Sequence, residues 1–102
     1  MTGPRTRVGL LRITLRLPYA RSRKDRRSVV RSLSDRLRAR CLVAVAETGD
    51  PEMLREAELS VVAVGLGEEV VGARLETARN IAVRAYPSEV ADAAIEWLAV
   101  ED

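Results

Sequence analysis

The stretch Val8-Gly9-Leu10-Leu11-Arg12-Ile13-Thr14-Leu15-Arg16-Leu17 constrains this chain more than any other. Gly9, Leu11, Ile13, Leu15 and Leu17 alternate with Val8, Leu10, Arg12, Thr14 and Arg16. That period of two belongs to a strand, because successive side chains leave a strand on opposite faces. One face is apolar throughout and has to be covered. The other becomes basic toward its end, and Pro18 stops the run. The next apolar pattern has a different period. Val29, Val30, Leu33 and Leu37 share about a third of the circumference of a helix at roughly 100° per residue. The segment Ser22–Arg40 is therefore an amphipathic helix with a face able to cover the strand.

Ser22 followed by Asp25 gives this helix an approximate capping box, a hydroxyl for an orphan amide and a carboxylate near the positive end of the dipole. Lys24, Arg27, Arg31 and Arg38 lie opposite the apolar arc, with Asp35 close to Arg31 and Arg38. Arg26 sits beside the arc, so its stem should run along the edge of the core with the guanidinium at the rim.

Further on, Cys41–Glu47 reads as a short apolar strand. Asp50-Pro51-Glu52 has the form of an N-cap, a first-turn proline and an acidic first turn, predicting a brief helical turn to Arg55. Leu59–Gly65 is a nearly all-apolar strand. Gly65-Leu66-Gly67 turns into a second helix, Glu68–Ala85, whose buried arc holds Val70, Val71, Leu75, Ala78, Ile81, Ala82 and Ala85. Arg74 falls inside this arc and requires a partner carboxylate or a snorkelling pose. The last segment fits two periods. Val90, Ala94, Trp97 and Leu98 suit a helix capped by Ser88, while Ile95, Trp97 and Ala99 suit a strand. The preceding order, strand–helix–strand–strand–helix, favours a closing strand. The expected fold is a ferredoxin-like βαββαβ α+β sandwich, with a four-stranded antiparallel sheet and two helices on one face. One domain spans residues 1–102, with Met1–Thr6 as a frayed basic arm.

These patterns bring a resemblance with them. Ser22-Arg23-Lys24-Asp25-Arg26-Arg27 resembles the "SLKEKR" signature of the YlxP-like family of small bacterial proteins of unknown function. Arg31-Ser32-Leu33 with Leu37-Arg38 continues that family's basic helix, Val45-Ala46-Glu47 is similar to its "VAE" strand end, and the opening "VGLLRITLRLP" and final "IEWL" also fit. Arg23 stands where the family usually has leucine, and Arg26 where it has its second lysine. The resemblance implies a ferredoxin-like sandwich with no established enzymatic activity. It also implies a setting: genes of this family often lie near those for transcription and translation factors, including ribosome-binding factor A.

Charge is distributed unevenly. Residues 1–40 hold twelve Arg and one Lys against two Asp, while residues 41–102 hold four Arg against thirteen acids. Such a split points to a polyanion-binding surface, unless the halves neutralise each other on folding or across a dimer. Arg outnumbers Lys sixteen to one, and there is no Gln or His and a single Asn, a pattern of GC-rich or thermophilic coding. Without histidine the commonest general base and metal ligand is missing. Cys41 enters an apolar strand, where a small core hydrophobe is the simpler reading than a nucleophile, and one cysteine makes no disulfide framework. Glu47, Asp50 and Glu52 share a loop, but turn and capping roles account for Asp50. Gly65-x-Gly67 lacks the third glycine and acidic partner of a dinucleotide fingerprint. No enzyme, cofactor or metal is expected, and no apolar run approaches the ~20 residues needed to span a bilayer. A cytoplasmic location is the default.

Two binding readings remain. Stacking of bases on the central strands, as RNA-recognition motifs do it, needs aromatics there, and Tyr19, Tyr86 and Trp97 all lie elsewhere. RNA or a ribosomal subunit would instead be held through phosphates, by Arg12 and Arg16 on the first strand and Lys24, Arg27, Arg31 and Arg38 on the helix. The alternative is a structural homodimer acting as a protein–protein interaction module. With both helices on one side, the sheet's other face ought to be polar, yet Val8 and Leu10 point there. So do either Leu59, Val61 and Ala63 or Ser60, Val62 and Val64 of the third strand. In the second strand the choice lies between Leu42, Ala44 and Ala46 and Val43, Val45 and Glu47. We take Val8, Leu10, Val62 and Val64 as the expected dimer surface.

Overall fold

The computed structural model describes residues 5–101. Its elements run β1 (Thr6–Arg16), α1 (Arg23–Arg40), β2 (Ala44–Thr48), β3 (Glu56–Leu66), α2 (Glu68–Ala85) and β4 (Val90–Leu98). This is the βαββαβ order of the ferredoxin-like α+β fold. The sheet is antiparallel throughout in the order β2-β3-β1-β4. Both helices cover the same face.

The alternation in β1 decides the layering. Leu11, Ile13 and Leu15 are fully buried under the helices with Leu17 just beyond the strand, and the register carries that phase to its neighbours. Leu11 stands opposite Val61 and Ile95, and Ile13 opposite Leu59 and Ala93. From α1, Val29, Val30, Leu33 and Leu37 enter this core, and from α2, Val71, Leu75, Ala78 and Ala82. Gly9 allows α2 to approach the sheet closely: a Cβ there would lie 2.6 Å from Leu75 Cδ1 and 3.3 Å from the Trp97 ring. Ser22 caps α1 by accepting from the Asp25 amide at 3.1 Å, while the Asp25 carboxylate accepts from the Arg21 amide at 2.9 Å.

Several boundaries and contacts differ from the sequence reading. β1 begins at Thr6, inside the expected arm, whose residues Met1–Pro4 lie outside the described residues. β2 begins at Ala44 rather than Cys41, because the Cys41 amide still closes the last turn of α1 by donating to Leu37 O at 2.9 Å. Asp50–Arg55 forms turns rather than a helical turn. The Asp50 carboxylate accepts from the Glu52 amide at 2.9 Å, and β3 then starts at Glu56, pairing along the whole of β1. Val70 is exposed, outside the core face of α2. Arg74 finds a backbone partner instead of a carboxylate, donating to Val64 O at 2.9 Å. The closing segment is a strand, because β1 has an unpaired edge that β4 satisfies from Val8–Leu98 to Leu15–Val90.

Candidate nucleic-acid interface

The apolar anchors of α1 fix which side of it faces out. Lys24, Ser28, Arg31 and Asp35 recur at spacings of three and four and lie on the outward side. With Arg27 and Ser32 they line a shallow surface depression. Lys24, Arg27 and Arg31 are exposed, and among the described residues none of them pairs with a carboxylate.

Arg12 and Arg16 do not join this surface. They share the phase of Val8, Leu10 and Thr14, which is the sheet's open face, on the far side from both helices. Arg12 Nε lies 3.2 Å from Glu96 Oε2, and Arg16 stands opposite Glu56 in the register. Arg38 is on the helix but already engaged, donating to Val45 O at 2.8 Å and lying 3.5 Å from Asp35. The six basic residues expected to act together are therefore divided between two faces. Only Lys24, Arg27 and Arg31 form a contiguous unpaired group.

A second basic feature was not anticipated. Arg36 and Arg40 lie one turn apart on the flank of α1 that faces α2, and Arg84 with Asn80 lines the same groove from α2. The sequence contains a partial signal, since Arg36 falls beside the apolar arc and Arg40 within it rather than opposite. The antiparallel placement of α2, which sets Arg84 near Arg36 and Ala73 near Cys41, is a tertiary fact.

Folding spends the basic excess of the first forty residues selectively. Arg7 pairs with Glu68, Arg12 with Glu96, Arg23 with Glu52 and Arg26 with Glu47, so each reaches an acid from residues 41–102. Arg26 is 7% exposed, well inside the rim position expected for it. Its Nε donates to Met53 O at 2.7 Å and Glu56 O at 3.2 Å, and its Nη2 lies 2.6 Å from Glu47 Oε2. It thereby clips the β2–β3 loop to α1.

The open face carries the expected dimer residues in one block. Val8 stands opposite Val64 and Leu98, and Leu10 opposite Val62. The register thus settles which side of β3 is outward, and Ala44 and Ala46 of β2 share that side. Leu10 is only 8% exposed, already sheltered by its neighbours, whereas Val64 is 56% exposed and Leu98 and Leu66 are exposed beside it. Trp97 is on the helix side, its ring over Gly9 and Gly72 with the Arg7 guanidinium 5.6 Å from the ring centre. The open face accordingly offers no aromatic platform among the described residues.

The titratable groups do not assemble into a reactive centre among the described residues. Glu47 and Glu52 turn to different arginines, Arg26 and Arg23, and no group of three or more His, Cys, Asp or Glu is placed to hold a metal. Burial pushes the Cys41 thiol above its usual value, against the opposing pull of Arg40. Partial burial and then the hydrogen bond to Glu89, at 2.9 Å, push the Tyr19 hydroxyl up to about 12. Gly67, with φ of 86°, begins α2 as a backbone turn. No helix among the described residues is long and apolar enough to cross a membrane.

A search among curated proteins finds no match to this chain. A family profile described as "protein of unknown function (DUF503)" matches residues 8–95, from the first strand into the last. The match takes in β1, both helices and the β2–β3 hairpin, and on it the chain belongs to the DUF503 family.

Proposed function

We propose that this protein is a non-catalytic RNA- or ribosome-associated protein that holds phosphates through the outer face of α1. The observation that carries the reading is the group Lys24, Arg27 and Arg31, contiguous on the outer face of one helix and without carboxylate partners among the described residues, whereas Arg7, Arg12, Arg23 and Arg26 have found acids. Arg12 and Arg16 are not part of that surface. The resemblance to YlxP-like proteins, with its translation-factor gene neighbourhood, agrees with this reading.

Binding of this kind is dominated by counterion release and carries little sequence preference. Ribosome co-sedimentation at two salt concentrations tests it. The wild type should pellet with ribosomes at low salt and be released as salt rises. Changing Lys24, Arg27 and Arg31 to Gln should weaken binding to all RNA sequences alike and flatten the salt dependence by about one unit of slope per lost contact. Retention unchanged at both salts would refute the reading.

A second reading is favoured by the open face: we propose that it pairs with a second copy of the chain. Val8, Val62, Val64, Leu66 and Leu98 make a continuous apolar block bordered by one base, Arg12, and one acid, Glu96. A border with both signs is self-complementary under a two-fold axis. Val64→Glu, at a site open enough to accept the charge in a monomer, should convert a sedimenting dimer to a monomer. A wild type that sediments as a monomer at tens of micromolar refutes the pairing.

A further inference from the structure

The groove between α1 and α2 has a volume of about 350 Å³, near the small end of ligand pockets, roughly 300–1,000 Å³. Three guanidinium groups, Arg36, Arg40 and Arg84, open onto it, and among the described residues none of them is paired with a carboxylate or hydrogen-bonded to another side chain. No acid lines the groove. Ile81 and Ala85, both half-buried, complete its lining. Asn80 adds a neutral carboxamide able to donate two hydrogen bonds. Thr77 is not a donor here, since its hydroxyl donates to Ala73 O at 2.9 Å.

Part of this has a local explanation. Arg40 lies in the last turn of α1, where a cation complements the helix dipole. That accounts for neither Arg36 nor the arrival of Arg84 from the other helix. Three like charges at one groove repel one another, an anion there relieves that repulsion, and planar guanidinium forks match phosphate oxygens in pairs.

We infer that this groove is a phosphate-binding site, separate from the outer stripe of Lys24, Arg27 and Arg31. Its ligand, resting on the RNA reading above, is a backbone phosphate of the bound strand. The site gives that strand a second anchor on the flank of α1, so that the contact wraps the helix from its outward face to its junction with α2. The preference for phosphate itself follows from the groove alone.

The protein provides its own reporter. Asn80 is the only Asn and there is no Gln, so its side-chain NH2 is the single carboxamide pair in a nitrogen–proton correlation spectrum. The full-length protein is titrated in parallel with a short oligouridylate and with inorganic pyrophosphate, at matched ionic strength. Both should move the Asn80 NH2 signal in a saturable way. Arg36→Ala/Arg84→Ala, at two exposed positions, should weaken the binding that this signal reports by on the order of a hundredfold, from two lost charge-assisted contacts. Lys24→Ala/Arg27→Ala/Arg31→Ala should leave the pyrophosphate shift intact. If RNA binds while Asn80 stays still, the groove proposal is overturned and the RNA reading stands. If pyrophosphate moves Asn80 and RNA does not bind, the groove is upheld as a site for small phosphates and the RNA reading fails. If neither ligand moves Asn80, the groove proposal is overturned. Unchanged signal dispersion in the variants establishes that they remain folded.

Discussion

Arg26 is the residue whose removal should cost this fold most for a single polar change. It ties α1 to three points on the β2–β3 hairpin: Glu47 at the end of β2, Met53 in the loop and Glu56 at the start of β3. Arg26→Met keeps most of the stem and its packing while removing every donor. Glu47 is then left without its cation and two carbonyls without their shared N–H. Removing one partner of a fully buried pair costs about 3–5 kcal/mol. The Glu47 side chain is 32% exposed and can take up water in compensation, so the expected loss falls to roughly 2–4 kcal/mol. Against a total stability of about 5–15 kcal/mol that is a large share. Urea unfolding followed by Trp97 fluorescence measures it: with m of roughly 1–3 kcal/mol/M, the midpoint should fall by about 0.7–4 M with m unchanged. A double-mutant cycle with Glu47→Ala should return a coupling of about 1–2 kcal/mol. An Arg26→Met protein within about 0.5 kcal/mol of the wild type would refute the latch, and Arg26 would then be a burial without net effect.

Three other outcomes follow from the packing and the titrations. Gly9→Ala should destabilise by roughly 1–3 kcal/mol, because the new methyl group meets Leu75 and the Trp97 ring in a filled core, and a shift in Trp97 emission should accompany the loss. Leu37→Ala should cost about 2–5 kcal/mol, whereas Lys24→Gln, Arg27→Gln and Arg31→Gln should each stay within about 0.5 kcal/mol, measured on the same urea axis. Tyr19 holds its proton more tightly when folded, so stability from its bond to Glu89 is complete below pH ~10 and is lost as pH rises toward 12. Tyr19→Phe should remove that alkaline decline in unfolding midpoint, and a wild type equally stable at pH 9 and 11.5 would contradict the assignment.

The sequence carried those parts of the fold in which one period dominates. β1 alternates cleanly, and the anchors of α1 all prove buried. α2 runs from Glu68 to Ala85 as its pattern requires, because a glycine precedes it and the apolar period ends with it. β3 alternates polar and apolar only over Glu56–Ser60, mostly ahead of the strand read from the sequence; from Val61 to Val64 both sides are apolar, and there the register with β1 places Val61 inward and Val62 outward. Arg26 was underestimated for a related reason. Its partners are 21 to 30 residues away in a hairpin whose closure no local pattern describes. The candidate site was half legible: helical spacing identifies Lys24, Arg27 and Arg31 as outward. Grouping them with Arg12 and Arg16 failed because charge sums do not record which side of a sheet a residue occupies.

That distinction bears on the competing account of the arginines as coding bias or heat adaptation. A bias toward GC-rich codons explains Arg in place of Lys, but it does not choose where acids fall. Heat adaptation favours networks of paired charges. On the open face Arg12 pairs with Glu96. The same holds for Arg7, Arg23 and Arg26 at the ends of the elements. Lys24, Arg27 and Arg31 on the outer face of α1, and Arg36, Arg40 and Arg84 in the groove behind it, have no carboxylate partner among the described residues, although the later chain supplies thirteen acids. Solubility alone asks for interspersed signs, and a single-sign field self-repels. One sequence, under one compositional bias, thus treats its two surfaces differently. The anionic partner proposed above would account for that difference.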